Sequence, residues 1–359
     1  MNILLDIYLE KNLGDDLFLA SVLNRYPNHN FFVFTQKDYS DFEQLFSNLK
    51  VIRFNKYYNY LLVKTELRNR MIKREINKYQ IEALASVGGS IFIESDNWKV
   101  NFKIHEDLWS YFYDNNKPVY VIGSNFGPYM SNKFLNAYQN LFSKVSDVCF
   151  RDQASYDLFS HLENVRLAPD AIFSYQFEKK QTQKDTLGIS VIDLKSRPDL
   201  AKYQVDYENS LVSLIKEGLS KGKVIYLLSF CKAEGDENQI QAIKGTYFSE
   251  ERNVIPVYYR NNLQEFMAQF SSLEQLIATR FHSIVLAMLF KIPFFALNYS
   301  KKSDNLLNDF KVPVEIKHIQ KLNTINTEEM FDYMNIKDDI SEIAKNSERQ
   351  FEALDKLLS

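Results

Sequence analysis

Cysteine is nearly absent from this chain. Two residues, Cys149 and Cys231, stand among 359, each inside an apolar stretch (DVCF and LLSFC). That excludes a disulfide framework, and two isolated thiols point to a reduced, cytoplasmic setting. Charge of one sign is lacking too. The 43 Lys and Arg face 46 Asp and Glu, a net charge of −3, which excludes a generally basic nucleic-acid-binding surface. Long hydrophobic runs are missing. The longest, IVLAMLFKIPFFAL, is interrupted by Lys291 and Pro293 and falls short of the ~20 apolar residues of a membrane span. The opening MNILLDIYLEKNLGDD has no basic region of the signal-peptide type. Glycine is scarce at 10 residues, so clustered glycines carry information. What the chain does have is aromatic bulk, 28 Phe and 22 Tyr, with 45% hydrophobic and 25% charged residues. That balance belongs to a soluble globular protein, and the length predicts two domains.

Short apolar runs alternate with helical patterns along the chain. NILLDIY, FFVFT, VIRF, ALASV, PVYVIG, DVCF and NVRLAPD read as strands. Between them LGDDLFLASVLNRY, HEDLWSYFYDNN, KFLNAYQNLFSKV and DQASYDLFSHL have helical spacing, and a further helix is predicted over 63–79. Strands separated by helices imply parallel βαβ units. The pattern lapses over 177–186 (FEKKQTQKDT), read as a linker, then resumes with LGISVIDL, KVIYLLSF, NVIPVYY, EQLIATR and PFFALNY. No solenoid repeat is present. The expected organisation is an α/β domain over 1–176, the linker, a second α/β domain over 187–325 and a helical tail over 326–359. Each domain is expected to be a Rossmann-like, doubly wound parallel sheet, and the two are expected to face a cleft.

Such sheets bind ligands beyond the carboxyl ends of their strands, so the residues just after each strand are the candidates for a site. Asn12, Gly14 and Asp15 follow the first strand; the plain reading is a helix cap, the functional one a close approach to a ligand. Gly88-Gly89-Ser90 and the loop Gly123 to Pro128, with Asn125 inside it, place four of the ten glycines after two strands. Each is a tight turn on the plain reading; the functional one is backbone N–H groups offered to an anion. Arg151-Asp152 follows DVCF and Pro169-Asp170 the next strand, with a surface ion pair and a turn as the plain readings. In the second half Arg280-Phe281-His282-Ser283 joins EQLIATR to an apolar helix, and Lys301-Lys302 follows PFFALNY. Of the five histidines, His282 alone sits at a strand–helix junction beside an arginine; packing on Phe281 is its plain reading. Arg151, Arg280, His282 and a lysine at one cleft predict a small, multiply charged anion as ligand. No metal-ligand spacing accompanies them, so no metal is expected. The basic segment 65–79, with Arg68, Arg70, Lys73, Arg74 and Lys78, reads plainly as a solvated face and alternatively as contact with an anionic membrane surface or a lipid pyrophosphate.

Seven of these landmarks, in this order, resemble the polysaccharide pyruvyltransferase family. Asn12-Leu13-Gly14-Asp15 is similar to its GN-x-GD element, with Lys11 where Gly is usual. Gly88-Gly89-Ser90 resembles its GGGS loop, with Val87 in place of the first Gly. Gly123 to Pro128 resembles its loop ending in GP, Arg151 to Ser155 its RD-x-x-S, Pro169-Asp170 its PD, Arg280 to Ser283 its R-x-H, and Tyr299 to Lys302 its Y-x-x-K. The resemblance implies a GT-B-like fold and transfer of pyruvate from phosphoenolpyruvate onto two hydroxyls of a glycan sugar, forming a ketal, with no cofactor. It makes His282 the general acid, with Arg280 and Arg151 as catalytic partners. Arg151, Arg280, Lys302, Lys301 and Ser283 then bind donor. Asn12, Gly14, Asp15, Gly88, Gly89 and Asn125 fall to the acceptor or its loops, with Asp15 orienting or deprotonating a hydroxyl. The context implied is assembly of bacterial exopolysaccharide, capsule or cell-wall glycan, lipid-linked acceptors included, in the cytoplasm or at the inner face of the membrane. The rival expectation is a GT-B glycosyltransferase using a nucleotide sugar, and a third is a non-catalytic anion-binding protein.

Overall fold

In the computed structural model, residues 1–53, 67–310, 316–324, 331 and 341–359 are described. The parts of the expected helices over 63–66, 328–330 and 332–340 lie outside them. Burial follows the apolar runs. ALASV is buried at all five positions, as is every residue of VYVIGS. Continuous burial of this kind marks parallel strands covered on both faces.

The first sheet has seven parallel strands: β1 (Asn2–Asp6), β2 (Asn30–Thr35), β3 (Leu49–Arg53), β4 (Ala83–Val87), β5 (Val119–Ser124), β6 (Asp147–Phe150) and β7 (Val165–Leu167), ordered β3-β2-β1-β4-β5-β6-β7. The second has six: β8 (Thr186–Ser190), β9 (Val224–Ser229), β10 (Val254–Tyr258), β11 (Gln275–Ala278), β12 (Phe294–Asn298) and β13 (Ile316–His318), ordered β10-β9-β8-β11-β12-β13, again all parallel. In each the order reverses beside the first strand, which is the doubly wound arrangement with its ligand-binding switch point there. Helices join the strands. Side-chain caps start several of them, with Ser131 accepting from the Phe134 N–H and Asp152 from the Ser155 N–H.

The chain divides into two compact units. Unit 1 holds residues 1–9, 15–175 and 344–359; unit 2 holds 10–14 and 176–343. The break after Tyr175 lies within one residue of the expected boundary, but three details differ from expectation. The segment 10–14 groups with unit 2, because the Leu13 N–H donates to the Phe230 carbonyl (3.0 Å) and Asn12 forms a bridge with Cys231. The expected linker is anchored on unit 2, through the Gln183 N–H to the Ser272 carbonyl at 2.8 Å and Phe177 against Phe290. The end of the tail packs into unit 1, where Phe351 and Leu354 are buried. The aromatic bulk concentrates in unit 1. Phe92, Trp109, Phe126, Tyr138 and Phe142 meet there largely edge to face, and His105, mid-helix and not at a helix start, stacks on Trp109.

Candidate functional site

In unit 1 the carboxyl ends of four adjacent strands, β4 to β7, supply one polar cluster. Arg151 follows β6 and is almost fully buried. Its Nη1 donates to Asp170 (2.7 Å), and its Nη2 donates to Asn125 Oδ1 (2.7 Å) and reaches the Ser90 hydroxyl at 3.4 Å. The Ser90 hydroxyl itself donates to Asn125 Oδ1 at 2.9 Å. Asp152, the sequence neighbour expected as partner, instead caps the helix Gln153–Phe159. Asp170 is no plain turn residue, since its buried carboxylate also takes the Ile172 N–H at 2.9 Å. A Cβ on Gly89 would lie 2.6 Å from Arg151 Nη1, and one on Gly88 would lie 3.9 Å from Asp15 Oδ1. Gly89 is therefore the seat on which the guanidinium rests. Beside this cluster, at the end of β1, a small pocket of about 80 Å³ is lined by Asp6, Asn69, Lys73, Asp107 and Tyr111 among others.

Unit 2 repeats the pattern at the ends of β9, β8, β11 and β12. Ser190, ending β8, accepts the N–H groups of Thr279 (2.7 Å) and Arg280 (3.1 Å), fixing the turn after β11. The Ser283 hydroxyl is buried beside the Ser190 hydroxyl and donates its proton to the Arg280 carbonyl. The Arg280 side chain is 8% exposed. Its Nε and Nη2 donate to Asp236, and its Nη1 donates to Glu234 at 2.5 Å. Asp236 is locked in place by the N–H groups of Phe230 and Cys231, both at 3.0 Å. Glu234 receives two further donors, Arg197 Nη2 at 2.5 Å and Asn12 Nδ2 at 3.2 Å. Burial alone would push the Glu234 carboxyl up. Arg280 and Arg197 outweigh it and hold the group down at about 2.

Asn12 and Gly14 thus serve unit 2. Asn12 Oδ1 accepts the Gly14 N–H at 3.0 Å, and a Cβ on Gly14 would stand 1.9 Å from His282 Nδ1. His282 lies edge-on to Phe281, as its plain reading expected, and against this glycine as well. Lys301 is exposed and Lys302 half-buried at the start of the helix Lys301–Asp309. Sequence reasoning missed Arg197, Glu234 and Asp236. The signal for the acids was present, a glycine between two carboxylates in the loop after β9. No group of three or more His, Cys, Asp or Glu placed to hold a metal occurs among the described residues. Both thiols are buried and pushed up to about 12 by that burial.

The sequence matches the family described as polysaccharide pyruvyl transferase over residues 12–301. A curated relative, the amylovoran biosynthesis protein AmsJ of Erwinia amylovora, is 22% identical over 265 residues, 68% of this chain and 63% of that protein; the chain spans less than two thirds of that relative's length. Among solved structures, the chain is similar to the UDP-GlcNAc 2-epimerase of Methanocaldococcus jannaschii, with a TM-score of 0.62, 10% identity and 99% of both chains covered. It is also similar to Anabaena Alr3699/HepE, solved with UDP and glucose, with a TM-score of 0.62, 12% identity, and 99% and 98% covered. At these identities the likeness shows the fold alone, two Rossmann-like units in one GT-B-like chain.

Proposed function

The chain belongs to the polysaccharide pyruvyl transferase family, and on that premise we propose that it moves the pyruvate moiety of phosphoenolpyruvate onto two hydroxyls of a glycan sugar. The observation that carries this reading is the turn after β11. There Arg280 is fixed by Asp236, and His282, two residues on, lies against Gly14. A carboxylate and a phosphate on one small donor require fixed cations and a proton source, and this turn supplies both types.

The proposed chemistry runs in three steps. His282 donates a proton to the donor's methylene carbon, leaving an oxocarbenium-like centre. One sugar hydroxyl adds to that carbon and gives up its proton, and the phosphate departs. The second hydroxyl then closes the ketal. The two hydroxyl protons balance the one placed on the new methyl group and the one leaving with phosphate. Arg280 and Lys302 hold the donor's charge and stabilise the departing phosphate. Acceptor recognition is assigned to Asp15, Gly88, Gly89 and Asn125 of unit 1, whose loops Arg151 organises. The helix Leu67–Lys78 exposes Arg70, Lys73, Arg74 and Lys78 while Ile72 and Ile76 are buried. A basic face of this kind suits a lipid-linked acceptor at an anionic membrane surface. No helix among the described residues is long and apolar enough to cross a membrane.

The test is thermal stability of the purified protein against phosphoenolpyruvate, UDP, nucleotide sugars and phosphate. Donor at 100 times its dissociation constant adds about 2.7 kcal/mol. Stabilisation by phosphoenolpyruvate is expected, diminished in Arg280→Lys, which keeps the charge opposite Asp236 and loses the planar fork. Stabilisation by a nucleotide sugar with none from phosphoenolpyruvate would replace this reading with glycosyl transfer.

A further inference from the structure

The two acids on Arg280 are not equivalent. Asp236 is fully buried and takes two backbone N–H groups as well as the Nε and Nη2 edge of Arg280. It is a built-in counter-ion. The Glu234 side chain is 34% exposed, and its carboxylate is held by the side chains of Arg280, Arg197 and Asn12. It ends a three-residue helical turn, Lys232–Glu234, and Gly235 follows with φ +86°. Three donors from three separate loops converge on one carboxylate at the end of a short, solvent-reached turn. That is the geometry of an anion site with a tethered anion in it.

Arg197 adds a second, independent observation. The Nε and Nη2 groups of an arginine form one edge, the fork that takes a carboxylate or phosphate through two parallel hydrogen bonds. Only half of this fork is engaged. Nη2 bonds Glu234, whereas the buried Nε–H has no hydrogen-bond partner among the described residues. The guanidinium is held in place meanwhile, lying over the Tyr299 ring at 5.1 Å. A carboxylate has two oxygens and both are already used here. A phosphate has more, and would satisfy the remaining donor. Charge gives the same answer: Asp236 neutralises one arginine permanently, so withdrawing Glu234 leaves the site with one net positive charge.

We propose that Arg197, Arg280 and Asn12 form the seat for a phosphate or carboxylate group of the substrate, and that Glu234 occupies this seat in the substrate-free protein and is displaced on binding. The assignment of the group to phosphoenolpyruvate rests on the function proposed above; the seat itself does not. Glu234 then acts as an internal competitor. It keeps the two arginines aligned when no ligand is bound, and it weakens the hold on any anion that cannot displace it.

The experiment is calorimetric titration of inorganic phosphate, and separately of phosphoenolpyruvate, into the wild-type chain, Glu234→Gln, Glu234→Ala and the double variant Glu234→Ala/Arg197→Gln. Circular-dichroism melts check that each is folded, and Glu234→Gln keeps the size of the side chain. Phosphate is expected to bind about tenfold or more tightly to both single variants, a gain of ~1.4 kcal/mol. The double variant should lose that gain. Phosphate binding that is unchanged, weaker or undetectable in the folded single variants overturns the proposal, as does a gain that survives Arg197→Gln. If phosphate tightens while phosphoenolpyruvate binds to none of the four, the seat stands and the donor assignment falls.

Discussion

A methyl group at position 14 would stand 1.9 Å from His282 Nδ1, so the residue that carries no side chain decides where the catalytic candidate lies. Gly14→Ala must push the ring aside or shift the backbone, and overpacking of this kind costs ~1–3 kcal/mol. Displacement of a reacting group by about 1 Å can cost ~10²-fold in rate. We expect Gly14→Ala to melt within several degrees of wild type and to lose ~10²-fold in acceptor-dependent phosphate release from phosphoenolpyruvate. Near-wild-type turnover would show that the contact does not place His282. The glycines were legible in the sequence as clusters, but their use was not. Gly14 and Gly89 are seats for His282 and Arg151, and a one-dimensional pattern holds no trace of which distant side chain lies on a glycine. Arg197 was invisible for a related reason. It lies in the irregular segment after β8, and the groups that hold its side chain, the Glu234 carboxylate and the Tyr299 ring, come from distant parts of the sequence.

Elements were read more completely than contacts, because periodicity is local and docking is not. The strand–helix alternation was legible wherever a run such as ALASV is covered on both faces, and the resulting parallel sheets are as expected. The destination of the C-terminal helices was not legible, since an amphipathic pattern says that a face is covered without saying by what. Gln350 shows the covering partner. Its side chain is fully buried, accepts the Gly123 N–H at 2.8 Å, and donates to the carbonyls of Ala168 (2.8 Å) and Phe150 (3.3 Å). One amide thereby satisfies backbone groups at or just beyond the ends of three neighbouring strands. Gln350→Ala strands the Gly123 N–H and the Ala168 carbonyl, while the Phe150 carbonyl keeps the Ala168 N–H at 3.1 Å; the cost is ~1–3 kcal/mol for each group left buried without a partner. The expected loss in urea denaturation is about 2 kcal/mol or more. A loss below ~0.5 kcal/mol, the scale of an ordinary surface substitution, would mean that the tail merely rests on unit 1.

Among the described residues each unit has a hydrophobic core of its own, and chains of this kind need not unfold in one step. The two cysteines make that testable, because Cys149 lies in unit 1 and Cys231 in unit 2. Burial pushes both thiols up to about 12, so at pH 8 neither should react with a thiol reagent in the native protein. In rising urea each should become reactive when its own unit opens, and peptide mapping by mass spectrometry would assign the two midpoints. Substitutions in different cores should then act separately. Gln350→Ala should bring Cys149 forward and leave Cys231 in place. Asp236→Asn leaves Arg280 without its fixed counter-ion, a change worth ~3–5 kcal/mol for a buried pair, and should do the reverse. Contributions from sites that share no partner add independently, so the double variant should show both shifts at their single-variant sizes. If either substitution moved both midpoints equally, the two cores would be unfolding as one cooperative unit.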